Sequence, residues 1–153
     1  MANPKEASWY GVAGAGELVC TRAAGLLPQT ATDILFTVSG GPVLCVQITG
    51  IVTVEVGAVG NNTKLTHIAT DICSVLDITG DVVGTQYSIT GTFANALIAT
   101  AISVPLAKQA TEFVLPVGNL LIDCAGSDGG VGYVEWSLVY KPLSEASTVI
   151  AVP

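Results

Sequence analysis

The stretch VLCVQITGIVTVEV, residues 43–56, alternates with a period of two. Its even positions are Leu44, Val46, Ile48, Gly50, Val52, Val54 and Val56, and the odd ones include Cys45, Gln47, Thr49, Thr53 and Glu55. A helix brings every third or fourth residue to one face, whereas a strand sends successive side chains to opposite faces. Alternation over this length therefore predicts a half-buried strand of about 14 residues, roughly 45 Å long if straight. Such a strand needs partners for its backbone groups, and the rest of the chain supplies them. In YVEWSLVYK, Val134, Trp136, Leu138 and Tyr140 share one face against Tyr133, Glu135, Ser137 and Lys141. Further strands are predicted at 17–22, 34–38, 63–69, 97–104, 113–117 and 120–124. The segments SGGP, GAVGNN, PVGN and GSDGGVG separate them with turn residues. TFANALIATAI also fits a short helix through Phe93, Leu97 and Ile98, with a strand preferred. Many short strands with such punctuation predict an all-β protein, an antiparallel sandwich or jelly-roll-like barrel.

The tripeptide Ile-Thr-Gly occurs at 48–50, 78–80 and 89–91. The spacings are unequal, so no structural repeat generates it. Isoleucine on the inner face, threonine on the outer face and glycine where a strand bends, stops or meets another chain segment closely accounts for all three. The motif is assigned no chemistry.

Residues 1–32 lack sustained periodicity and are predicted as an extended N-terminal arm. A β-body follows over 33–144 and a C-terminal tail over 145–153. Within the arm, Trp9, Tyr10, Leu26 and Leu27 are the candidate contacts to a neighbouring molecule. The body is one domain, large enough to bury a core without staples.

Charge decides which partners remain. Only 11% of the residues are Asp, Glu, Lys or Arg, less than half of the roughly 25% typical of globular chains. A surface so poor in ions suggests that part of it meets other protein, and an oligomer is expected. The net charge is −7, and the basic residues are five: Lys5, Arg22, Lys64, Lys108 and Lys141. Phosphate recognition needs clustered cations, so neither nucleic acid nor an anionic membrane surface is an expected partner. The uncharged run 34–54 is interrupted by Gly-Gly-Pro, which argues against a membrane span. MANPKEASWYG lacks the apolar core of a secretory signal. Cys20, Cys45, Cys73 and Cys124 form no CxxC pair and are expected as reduced, buried thiols. The NNT sequence at 61–63 is read as a polar turn.

Catalytic constellations are weak. His67 is the single histidine, and a general base needs a nucleophile and an orienting partner around it. Asp71, Asp77 and Asp81 lie close in sequence, as paired carboxylates would, but with no stacking aromatic beyond Tyr87. DCAGSDGGVG resembles a calcium loop in its Asp123, Asp128 and glycines, yet Cys124, Ala125 and Gly126 break the ligand alternation. GVAGAGEL has the glycines of a phosphate loop without the Lys-Ser/Thr that follows them. No enzyme activity, cofactor or metal site is expected.

Three segments carry a family resemblance: ILFTVSGGPVLCVQITGIVT, LDITGDVVGTQYSITGTFANALIAT and FVLPVGNLLIDCAGSDGGVGYVEWSLVYKPLS, together about residues 33–144. The apolar strands, the Ile-Thr-Gly strand ends and the closing W-x-L-x-Y-x-P-L resemble small virion proteins of tailed bacteriophages, of the capsid decoration (cement) type. That resemblance implies a structural, non-enzymatic virion protein. It would form a trimeric β-rich knob, assembled in the host cytoplasm and seated on the major capsid protein at the outer surface of the head. A tail, head-fibre or spike component acting in host adsorption is the alternative.

Overall fold

The computed structural model describes residues 17–126 and 131–153. Twelve strands make up the regular structure: β1 Leu18–Leu26, β2 Ala31–Ser39, β3 Val43–Val54, β4 Asn62–His67, β5 Thr70–Asp71, β6 Leu76–Asp77, β7 Gln86–Ser88, β8 Ile98–Thr100, β9 Phe113–Leu115, β10 Gly118–Cys124, β11 Tyr133–Pro142 and β12 Thr148–Ala151. They form two antiparallel sheets of six strands, and among the described residues there is no helix. Sheet A runs β1-β11-β3-β7-β8, with β9 also on β3. Sheet B runs β12-β2-β10-β4-β5, with β6 also on β4. The all-β expectation holds, but neither sheet closes, so the barrel form of it does not.

The buried faces of both sheets share one core. Sheet A contributes Ile48, Val52, Val134, Trp136 and Leu138, and sheet B contributes Leu35, Phe36, Val38, Leu65, Leu120 and Ile122. The alternation expected for β11 is observed: Val134, Trp136, Leu138 and Tyr140 are all buried. For β3 it is observed only in the middle. Two register shifts against β11, one at each end, leave Val46 and Thr53 without partners. The first turns Cys45 inward and Leu44 outward, and the second turns Val54 outward, against the parity expected at 44 and 54. An extra residue in one strand reverses every side chain beyond it, which no local pattern announces.

The three Ile-Thr-Gly copies sit as expected. Ile48, Ile78 and Ile89 are buried, and their threonines are half-buried. Gly50 stays inside β3, opposite Trp136 on β11 and Tyr87 on β7. These two rings stack across it with centroids 6.0 Å apart. A β-carbon at residue 50 would lie 2.9 Å from two atoms of the Trp136 ring. Gly50 is therefore the floor on which the largest buried side chain rests. Gly80 and Gly91 end their segments instead, with φ of +73° and +85°. Continuation of the third copy as a strand through Phe93 is not observed, because β7 stops at Ser88.

Both flanks differ from expectation. Residues 18–26, assigned to the arm with a strand expected only over 17–22, form β1 and pair with β11 from Leu18↔Tyr140 to Leu26↔Tyr133. The strand β2 begins at Ala31 rather than inside the body at 34. Residues 148–151 of the tail form β12 and pair with β2. Arg22 explains how these edges are held. It occupies an inward position of β1 opposite Trp136, and its Nη2 donates to Asp33 of β2 at 2.6 Å. Its Nε donates to the carbonyl of Val152 at 2.6 Å. One side chain thus ties sheet A to β2 and to the residue that follows β12 in sheet B.

Candidate functional site

The strand pairing assembles a surface that no single segment displays. On the outward side of sheet A, Val19, Val139 and Gln47 form one row across β1, β11 and β3, and Thr21, Ser137 and Thr49 form another. Next, Glu135 faces Ile51, whose other neighbour is Gln86. At the far end Leu26, Tyr133 and Val54 form one row. Val19 is 64% exposed, and Leu26, Tyr133, Val54 and Ile51 are exposed as well. Charge enters the outward positions of β1, β11 and β3 at Glu135 and at Lys141, and Lys141 sits 3.8 Å from Glu17 at the rim. Three of the side-chain hydroxyls here are bonded within the chain: Thr21 lies 3.1 Å from the Ser137 hydroxyl, and Thr53 donates to the Tyr133 carbonyl at 3.2 Å. Aliphatic and internally bonded hydroxyl groups lose little on leaving water, which makes this face suited to burial against protein.

Sheet B is different. Lys64 on β4 donates to Asp71 at 2.9 Å and lies 3.9 Å from Asp123. Both partners raise the Lys64 ammonium pKa, Asp71 first through its hydrogen bond. That cluster keeps the outer side of sheet B solvated, and neutralising it on docking would cost desolvation.

Of the four contact residues expected from sequence, Trp9 and Tyr10 lie outside the described residues. Leu26 stands 40% exposed in the apolar row at the end of sheet A, whereas Leu27 is 2% exposed and belongs to the chain's own core. The Leu27 amide donates to the Gly132 carbonyl at 2.9 Å, fixing that inward turn. The structure therefore brings Leu26 to the candidate face and withdraws Leu27 from it. Val19, Ile51, Val54 and Tyr133, exposed on the same face, were not named from sequence. For Val19, Ile51 and Tyr133 the signal is an apolar residue at an outward position in three segments, which gains meaning only once the segments are adjacent; Val54 carried none, because a register shift reverses its parity.

The residues weighed for chemistry are dispersed. Asp77 accepts from the amide of Thr79 at 3.0 Å and from its hydroxyl, and these bonds hold its pKa below the ordinary value. Asp81 accepts from the Tyr87 hydroxyl at 2.7 Å, while burial pushes its carboxyl pKa up. Burial also raises the thiol pKa of Cys45 to about 12 and of Cys73 to about 11. No disulfide joins the four cysteines. Among the described residues, no group of three or more His, Cys, Asp or Glu converges as a metal site would require, and no helix is long and apolar enough to cross a membrane. No family model, curated protein or solved structure matches the chain.

Proposed function

We propose that this protein is a non-enzymatic structural component of a tailed-phage virion, a cement protein that decorates the outer surface of the capsid as a trimer. In this reading the two sheets form a sandwich of the jelly-roll kind. The weakly charged outer face of sheet A supports it most directly. Burying that face against a neighbouring copy or against the major capsid protein removes apolar area from water at roughly 25 cal/mol per Å². The cost is the loss of rigid-body freedom, and little of the drive is lost to desolvating ions. The sequence resemblance over 33–144 supports the same role. Trp9 and Tyr10 extend the contact from the N-terminal segment, and Leu26 joins it from the end of β1.

The decisive experiment is electron microscopy of virions assembled without this protein. Heads that keep their shape, lose surface knobs and burst at lower temperature or milder osmotic shock are the expected result. Unchanged heads on particles that fail to adsorb would replace cement by an adsorption role. Removal of residues 1–16, which spares β1, tests the N-terminal contacts separately. Full capsid occupancy by the truncated protein would eliminate Trp9 and Tyr10 as anchors.

A further inference from the structure

A pocket of about 280 Å³ opens beside the β4–β5 turn, walled by His67, Ile68, Thr70, Ile72, Phe93 and Phe113 among others. Phe93 and Phe113 meet edge to face with centroids 5.0 Å apart and give it an aromatic side. An apolar cavity of roughly 150 Å³ admits one benzene, so this space suits one or two fused rings. It lies just below the usual range of small-molecule sites, about 300–1,000 Å³.

Two observations mark it as more than a packing defect. The first is His67, which is 4% exposed. Its Nε2 lies 2.8 Å from the Pro116 carbonyl. A carbonyl only accepts, so Nε2 carries the proton and the neutral ring leaves Nδ1 as a bare acceptor. That Nδ1 is buried and has no hydrogen-bond partner. Buried polar atoms are normally satisfied, and each exception asks for an explanation. Thr70 is the other wall residue with a polar side chain, so a lone water would find few of the contacts it needs. The second is Ile68. It is a β-branched residue held at φ +57° and left 59% exposed, a conformation that costs of order 1–3 kcal/mol. Gly118 permits it: a β-carbon there would come within 2.7 Å of the Ile68 side chain. The strained residue and the one that carries the unsatisfied buried acceptor are thus neighbouring wall residues of one apolar pocket.

We propose that this pocket binds a small planar aromatic molecule bearing a single N–H or O–H donor, with the ring against Phe93 and Phe113 and the donor on His67 Nδ1. This site is independent of the capsid role. Because His67 is the single histidine, the imidazole region of a long-range proton–nitrogen spectrum of the full-length protein reports it alone. Indole is the probe. Titration should shift the Nδ1 resonance saturably, while Nε2 keeps its proton. Benzofuran, which has the same shape without the donor, should bind roughly tenfold or more weakly, because it buries the acceptor unsatisfied. His67→Leu should abolish the preference for indole; should that variant fail to fold, the comparison in the unaltered protein decides alone. No shift at the solubility limit of indole, or equal affinities for the two probes, would overturn the proposal. So would an Nδ1 resonance that moves on Trp9→Phe without any added ligand, since the chain's own N-terminal segment would then fill the pocket.

Discussion

Replacing Gly50 by alanine isolates the contact on which the centre of sheet A is built. The new methyl would stand 2.9, 2.9 and 3.0 Å from three atoms of the Trp136 ring. Those distances are well inside ordinary contact of about 3.5–4.0 Å between carbons. Trp136 is 1% exposed and stacked on Tyr87, so it can retreat only by disturbing the core or the stack. Overpacking of this kind costs about 1–3 kcal/mol, and a weakened ring pair adds about 0.5–1.5 kcal/mol. Against this, alanine restricts the unfolded chain and returns about 0.4–1 kcal/mol. The balance is a loss of about 0.5–4 kcal/mol, or roughly 2–12 °C in Tm for a chain of this size. Urea unfolding followed by tryptophan fluorescence reads it directly, since the buried Trp136 ring is exposed in the transition. Gly60→Ala is the control: nothing lies within 4 Å of its added carbon, and its midpoint should stay unchanged or rise slightly. If Gly50→Ala proves as stable as Gly60→Ala, the close approach is not what the glycine is for.

Arg22→Met should lower stability by about 1–3 kcal/mol, because it leaves Asp33 Oδ2 and the Val152 carbonyl without the guanidinium donor. Hydrogen exchange should then speed up in β12 before it does in β11. A thiol reagent at pH 8 should label at most Cys20 rapidly and all four cysteines after unfolding. Burial keeps Cys45 and Cys73 protonated, and rapid labelling of Cys45 in the native protein would contradict its placement. For His67 burial lowers the pKa below the ordinary 6.5, so the folded state binds fewer protons than the unfolded one near neutrality. Its contribution to stability is complete above pH 6.5 and is lost as pH falls from there through the lower folded pKa. Chemical denaturation between pH 7.5 and 5 should show that decline, and His67→Gln should flatten it.

The parts legible from sequence were those in which one strand states its own environment. The alternation of β11 is complete because every inward seat holds an apolar residue, and the inward isoleucines and special glycines of the Ile-Thr-Gly copies followed from the same logic. The edge strands were legible only in part, for an equally physical reason. In β1 the strand expected over 17–22 stops short of the observed end at Leu26, because a central inward seat holds Arg22, whose charge is satisfied by Asp33 and Val152, and an irregularity follows between Arg22 and Gly25. In β12 one residue, Val149, is buried, too little to mark a period. The candidate face escaped because it combines β1 and β11, whose pairing joins Thr21 to Ser137 across 116 positions. The pocket escaped because it depends on a left-handed isoleucine and on which His67 nitrogen has a partner. Neither is written in residue type.

The borders of the two sheets carry a last implication. Sheet B is bounded by β12 and β5, of four and two residues, and sheet A ends on one side in β8, of three. The long border strand, β1, is broken by an irregularity between Arg22 and Gly25. Short or kinked margins offer a poor template for a further strand. Copies crowded together at high local concentration are therefore steered away from zipping into continuous ribbons, the route by which β-proteins form amyloid. A molecule made in such a form can be packed densely side by side and still remain a set of separate tiles.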